Sequence, residues 1–438
     1  MPLFATDLEL TRNSYYAATA GQAQDYPGLA ADTACDVAVV GGGLAGLSAA
    51  LDLRQRGFDV VLLEVQQVGF GASGRNGGQA IHGLACEQGV IEDQLGLDEA
   101  RRVWGMSLEA VGLLRERIRN HAIDCDWQDG YLGLATSARK GRQLSDWATR
   151  MESVYGYPLQ RIAPAEIGDW IASPRFHSGI HDPRSGHLHP LKYTRGLARA
   201  AADAGVRIFE NTTVQALVPG DRPALRTSGG QVTAKHVLLA GNVYLQNVAP
   251  TLAPRIMPVG TYIACSEALD PAFATSLIPS RAAVCDTNFV LDYFRTTPDH
   301  RLLYGGRVSY STVTPASLTE SMRQRMVHTF PQLARARVEY AWGGFVDISM
   351  NRAPDFGRLP AATRGGAQNV YYLQGFSGHG LALTGLAGRL VAEAIAGDAS
   401  RFDVFARLRH RNFPGGAWLR TPALVLGMAW YRLRDMLG

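Results

Sequence analysis

Gly41-Gly42-Gly43-Leu44-Ala45-Gly46 lies between an apolar run at 36–40 and a helical pattern that ends at Gly57. A second apolar run, Val60-Val61-Leu62-Leu63, closes on Glu64, eighteen residues past Gly46. Strand, glycine turn, helix and strand in this order form the frame that a dinucleotide fingerprint requires. Gly41 permits the tight turn, Gly43 lets backbone approach a pyrophosphate, and Gly46 lets the helix pack closely on the sheet. The first helical turn, with Leu44 and Ala45, then faces the phosphates with its positive dipole end. Glu64 is placed to accept from ribose hydroxyls. Gly69-Phe70-Gly71-Ala72-Ser73-Gly74 has the same glycine spacing, but no helical run follows it, so context decides between the two.

Outward from this unit, 438 residues suffice for two or three domains. A hydrophobic fraction of 46% and a charged fraction of 19% are those of a globular chain. The net charge of +4 is spread without basic runs, which argues against a nucleic-acid partner. Lys140, Lys192 and Lys235 are the only lysines, which limits the amines available to any mechanism. Five cysteines (Cys35, Cys86, Cys125, Cys265, Cys285) form no CxxC and fit reduced thiols in a cytoplasmic setting. Residues 1–30 lack the basic and apolar regions of a secretory signal, and no apolar stretch is long enough to span a bilayer. The apolar stretch 422–431, flanked by Arg420, Arg432 and Arg434, is open to two readings: a helix on a membrane surface, or one docked on protein.

Parallel βα patterns occur near the start, in the middle and near the end, with a β-rich block before the last. Helices are expected at 98–120, 137–155, 190–204, 317–329 and 381–396. Strands are expected at 126–134, 206–210, 212–218, 237–241, 262–266, 290–295, 302–308 and 370–374. The economical α/β architecture is one doubly wound domain assembled from separated segments, with a second domain built on an antiparallel sheet inserted into it. The boundaries read as an arm at 1–33, a nucleotide domain at 34–120, 176–255 and 337–410, a second domain at 121–175 and 256–336, and a helical extension at 411–438.

Nicotinamide dehydrogenases usually keep fingerprint and sheet in one continuous block. Here three regions suit backbone approach to one large ligand. Gly71-Ala72-Ser73-Gly74-Arg75-Asn76-Gly77-Gly78-Gln79 offers consecutive amides to an anion, with Ser73, Arg75 and Asn76 beside them. Gly375-Phe376-Ser377-Gly378-His379-Gly380 opens a helix of small residues whose amino terminus suits the charged N1–C2=O edge of a reduced flavin.

These stretches, with Gly186-His187-Leu188-His189-Pro190, Trp342-Gly343-Gly344 and Asn351-Arg352-Ala353-Pro354-Asp355-Phe356-Gly357, resemble the FAD-dependent D-amino-acid-oxidase superfamily. Within it they resemble the bacterial gamma-glutamylputrescine oxidoreductases, from about Ser14 to the terminal Trp430-Tyr431-Arg432-Leu433-Arg434-Asp435. The resemblance implies a glutathione-reductase-like FAD domain with an α+β substrate domain, and noncovalent FAD. His82 and Cys86 lie near the phosphate loop, in no attachment motif. Gly41, Gly43 and Gly46 would line the pyrophosphate, Glu64 the ribose, and residues 71–79 the phosphates and ring. Val214 would face the adenine, and Ala240 and Gly241 the ribose. Gly375, Ser377, Gly378, His379, Gly380 and Leu381 would cap the pyrimidine.

The implied reaction oxidises an amine to an imine that hydrolyses to aldehyde and ammonia, with reoxidation by O2. The rival substrate is a secondary or cyclic amino acid of the pipecolate or sarcosine type, with electrons passing to O2 or a carrier. Asp347 and His379 are candidates to contact the amine or tune the ring. Tyr262, Tyr293, Phe294, Trp342 and Phe345 are candidates for an aromatic pocket. Arg307 stands where some sarcosine-oxidising relatives have lysine. Arg307 and Arg352 are candidates to bind a substrate carboxylate. His187 and His189, ahead of a helix begun by Pro190, read as local structure.

Overall fold

A computed structural model describes residues 8–11, 13–245, 248–288, 290–309, 317–361 and 368–414, without the side chains of 307–309. Two sheets organise the described chain. The first has five parallel strands in the order Val370–Gln374, Gln231–Leu239, Thr33–Val40, Val60–Leu63, Arg207–Phe209. Asp355–Arg358 adds antiparallel at one edge, and Ala216–Val218 with Ala224–Arg226 extends the Gln231 strand as a meander. Sequence-distant segments supply these strands, as the recurring βα pattern indicated.

Side-chain alternation sorts the two faces. Val37, Val39 and Leu62 face a core shared with the helices Leu44–Gln55, Leu97–Asn120, Pro190–Asp203 and Gly380–Ile395. Ala38, Val40, Val61 and Leu63 face the other way, onto Leu225, Leu245 and Leu252. The runs near 36–40 and 60–63 are therefore apolar at every position because both faces are covered. Gly57, at φ +88°, ends the first helix pattern.

The second sheet runs Val338–Ser349, Ile256–Ser266, Leu302–Ser309, Tyr293–Thr296, Ala283–Asp286, Gln128–Ala135, Ser178–His187, Gln79–Ala80. All these pairs are antiparallel except Ala283–Asp286 on Gln128–Ala135. Two long strands differ from the sequence division. Ser178–His187 and Val338–Ser349, placed above with the nucleotide domain, pair in this second sheet. Both lie in segments that continue into first-sheet elements, so composition gives no boundary between them.

The helices over 98–120, 137–155, 190–204, 317–329 and 381–396 occur as Leu97–Asn120, Ala138–Tyr155, Pro190–Asp203, Leu318–Thr329 and Gly380–Ile395. The expected strand at 212–218 narrows to Ala216–Val218. Thr212 is drawn out of the ladder: its N–H donates to Glu64 O (2.8 Å) and its hydroxyl to Glu210 O (2.8 Å). All five cysteines are free and buried. Among the described residues no helix is long and apolar enough to cross a membrane. Most of the expected carboxyl-terminal extension, from 415 onward, lies outside the described residues.

Candidate active site

The three glycine turns meet. One cavity of ≈1150 Å³ is lined by the turn after Thr33–Val40, by residues 69–79, and by the loop before Gly380–Ile395. That volume is at or above the ~300–1,000 Å³ usual for small-ligand sites. Ser73 Oγ ties two of the turns together by accepting the N–H of Leu44 at 2.9 Å. The room is there because side chains are absent. A methyl on Gly41 would lie 2.6 Å from Ala240 O, and one on Gly43 2.7 Å from Ser73 Oγ. Glu64 is buried on the cavity wall, with Oε2 accepting from Gly42 N–H (2.6 Å) and Oε1 from Gln66 N–H (3.0 Å). Burial raises its pKa above the usual carboxylate value. A twelve-residue helix pointing its amino terminus at this space, a buried acid beyond it and a long glycine-walled channel fit FAD.

Asn76 shapes the second turn from inside. Its amide donates to Ala72 O (3.0 Å) and Ser73 O (3.1 Å), and its oxygen accepts from Gly78 N–H (2.8 Å). Arg75 lies on the cavity wall with its guanidinium 4.3 Å from the Phe70 ring centre.

The third turn is held by Asp347. Its carboxylate accepts from Gly375 N–H, and its carbonyl accepts from Ser377 N–H at 2.9 Å. Burial raises the Asp347 pKa to about 7, against the lowering effect of the backbone donors. His379 donates from Nε2 to His82 O at 2.8 Å, which fixes its tautomer and leaves Nδ1 as an acceptor. Burial lowers its pKa to about 4, so the imidazole is neutral at pH 7.

Most expected residues line the cavity: Gly41, Gly43, Leu44, Ala45, Glu64, Gly71, Ala72, Ser73, Arg75, Asn76, Gly77, Gln79, Val214, Ala240, Gly241, Tyr293, Phe345, Asp347, Arg352, Ser377, Gly378, His379, Gly380 and Leu381. Gly46, Gly78 and Gly375 do not; they serve the walls. A methyl on Gly46 would meet Gly41 O at 2.0 Å, and one on Gly78 would meet Leu188 O at 2.2 Å. Gly375, at φ +76°, turns the chain so that its amide reaches Asp347.

Three aromatic expectations are corrected. Tyr262 and Phe294 point into the core of the second domain, away from the cavity. The pleat explains this: Met257, Val259 and Thr261 share the cavity face of their strand, so Tyr262 takes the other. The same alternation puts Tyr293 on the cavity and Phe294 behind it. Trp342 is fully buried and instead donates from Nε1 to Arg75 O at 3.0 Å. Arg307 pairs opposite Tyr262, but its side chain is outside the described ones. None of the three lysines lines the cavity: Lys140 bonds Asn288, Lys192 Asp126 and Lys235 Asp36. His189 caps the Pro190–Asp203 helix, as local structure requires.

The sequence reading missed Met257, Val259, Thr261, Val290, Leu291 and Tyr244 on the wall. Alternation in the strand around Tyr262 carried the signal for the first three, once the opposite face was chosen.

The chain matches the FAD dependent oxidoreductase (DAO) family over residues 36–394. It is 43% identical to gamma-glutamylputrescine oxidoreductase of Escherichia coli (strain K12), over 97% of this chain and 99% of that protein. It is 38% identical to a probable oxidoreductase, OrdL, of Haemophilus influenzae, over 96% and 97%. The fold is similar to that of glycine oxidase from Geobacillus kaustophilus, at TM-score 0.71 and 22% identity, covering 86% of this chain and all of the other. The convergence of glycine turns and the extent of the match agree: this chain belongs to the FAD-dependent oxidoreductase family of D-amino-acid-oxidase type.

Proposed function

We propose that this flavoenzyme oxidises the primary amine of gamma-glutamylputrescine or a closely similar monoacylated diamine. The similarity to the E. coli gamma-glutamylputrescine oxidoreductase over nearly the full length of both chains carries the reading. When bound, FAD supplies the acceptor for a hydride equivalent from the carbon next to the amine. The chain's own residues have the remaining tasks of binding, orientation and water exclusion.

Met257, Val259, Val290, Leu291 and Phe345 offer an apolar wall that suits a methylene chain and keeps the amine in its neutral, reactive form. Tyr293 sits against glycine backbone, where a methyl on Gly77 would lie 2.6 Å from its ring, and so forms one face of a slot. Neutral His379 presents Nδ1 as an acceptor for an amine N–H. Asp347 holds the loop that places His379. Arg352, at φ +59° on the rim, is the candidate for the glutamyl carboxylate. The imine then hydrolyses to aldehyde and ammonia, and electrons leave to O2 as hydrogen peroxide. Free buried thiols support a cytoplasmic setting.

Anaerobic bleaching of the bound flavin tests the substrate. Gamma-glutamylputrescine should bleach it faster than putrescine, pipecolate or sarcosine. Bleaching by the cyclic or N-methyl amino acids alone would overturn the assignment.

A further inference from the structure

Arg295 is a buried cation directly behind the second glycine turn, at 2% exposure. Its Nε donates to Gly77 O (2.9 Å), and its Nη2 donates to Leu188 O (3.0 Å) and to the Tyr16 hydroxyl (3.1 Å). These three acceptors are two carbonyls and a phenol, so none of them neutralises the charge. The nearby imidazoles do not share it: burial, and then Arg295 itself, lower His187 and His189 to about 3. Leu188 N–H in turn donates to Gly78 O at 2.8 Å, so the guanidinium and the 188 backbone clamp both glycines of the turn.

Tyr16 comes from the amino-terminal arm, ahead of the family match that begins at residue 36. The arm is fastened rather than loose. Tyr16 is fully buried and packs on Trp342 (ring centres 5.1 Å) and His189 (4.7 Å). Tyr15 donates to Asp299 Oδ1 at 2.6 Å, and Thr19 Oγ1 lies 3.1 Å from His189 Nε2. Trp342, gripped by Tyr16, donates to Arg75 O in the same turn. Two routes thus run from one arm residue to the 71–79 turn: one hydrogen-bonded through Arg295 to Gly77, the other through ring packing on Trp342 and its hydrogen bond to Arg75 O.

We propose that Arg295 and the arm residue Tyr16 form a cofactor-holding device: Arg295 gives the Gly77–Gly78 backbone its shape and puts a positive charge, paired with no acid among the described residues, behind the anionic cofactor, and Tyr16 seals that charge from water. The inference rests on the assignment of FAD to this cavity. A buried guanidinium favours an anionic cofactor and favours added electrons on it.

The test titrates apoprotein with FAD, following quenching of flavin fluorescence, and measures the midpoint potential of the bound flavin. Arg295→Met should raise the FAD Kd by about tenfold or more, as expected for lost hydrogen bonds from a charged donor, and shift the potential to more negative values. Arg295→Lys should restore the potential, because charge remains, but not the affinity. Tyr16→Phe should raise Kd by roughly fivefold, in line with one hydrogen bond. A chain lacking residues 1–20 loses the Tyr16 bond and cover but keeps the guanidinium on Gly77 O and Leu188 O, so its Kd should rise at least as far as in Tyr16→Phe, with a smaller shift of potential than in Arg295→Met. Tyr16→Phe keeps the ring and its packing, so it reports on the device even if the truncated chain fails to fold. Loss of affinity in Arg295→Met with an unchanged potential would mean packing alone and would overturn the electrostatic claim. Wild-type Kd and potential in every variant would overturn the whole inference. Wild-type apoprotein that takes up no FAD would instead remove the cofactor assignment on which the inference stands.

Discussion

Asp347 and His379 carry opposite protonation logic from one cause, burial. The Asp347 carboxyl is raised to about 7, so the fold holds its proton more tightly than the unfolded chain does. Its contribution to stability is therefore fully present below the ordinary carboxylate range and is lost as pH rises through about 7. His379 is lowered to about 4, so its contribution is present above the usual imidazole pKa and is lost as pH falls towards 4. Asp347→Asn keeps an oxygen for Gly375 N–H and cannot ionise. Denaturant unfolding should show the variant losing less stability than wild type between pH 5 and 8, and a pH profile of kcat/KM should show a limb near pH 7 in wild type that the variant lacks. His379→Gln should lower kcat yet leave that limb in place; a limb that follows His379 would contradict the assignment. Asp347→Ala strands the Gly375 and Phe376 amides at a cost of about 1–3 kcal/mol each, visible as a lower Tm and weaker FAD retention. The sequence marked both residues as candidates but could not say that Asp347 serves the loop. That role depends on a contact between strand and loop across 28 residues, which no local pattern encodes.

Between elements, the helices Leu44–Gln55 and Gly380–Ile395 meet backbone to backbone. A methyl on Gly388 would lie 2.5 Å from Ala49 N and 2.8 Å from Ala45 O. Ser48 donates to Gly385 O at 2.6 Å, binding the first glycine turn's helix to the third's. Gly388→Ala should thus destabilise by about 1–3 kcal/mol through overpacking, despite the better helix propensity of alanine, and should loosen FAD by parting two turns. Chemical denaturation with FAD titration measures both effects; a stabilised variant would refute the contact. Asp52, 2% exposed, receives Arg117 and, at 3.1 Å, Arg389, joining three helices. Asp52→Ala leaves three guanidiniums, those of Arg117, Arg389 and Arg56 (3.3 Å), without their shared acid and should cost about 3–5 kcal/mol. The element pattern was legible in the sequence because periodicity is local: Val370–Gln374 and Leu97–Asn120 fall where apolar spacing puts them. The face each strand turns to the ligand was not legible. Tyr262 shows why, since alternation offers two faces and only the partner strand at Gly343 decides between them.

Across the whole molecule, the cavity has no single owner. Its walls come from the turn at 41–46, the turn at 69–79, Thr212–Gln215, the strands Ile256–Ser266 and Val338–Ser349, and the loop at 375–380. The glycine turns were readable in the sequence because each needs residues without side chains. The strand residues between them, such as Val259, were not, because their role exists only once the second sheet closes over the first. A ligand touching every one of these segments is linked to the folding of all of them. Binding to the native state alone stabilises by RT ln(1 + [L]/Kd), about 4 kcal/mol at a thousandfold excess over Kd. Apoprotein should therefore melt well below holoprotein, by roughly 5 °C or more for a chain of this size. It should also be cut by trypsin in the arm and at the 71–79 turn before FAD is added back. Acid precipitation should leave the yellow colour in the supernatant, because both cysteines on the cavity wall, Cys86 and Cys285, are held as thiols by burial, which pushes each up to about 12. Colour retained in the pellet would mean a covalent link and would overturn that argument. A Tm indifferent to FAD would show that the three turns do not share one ligand.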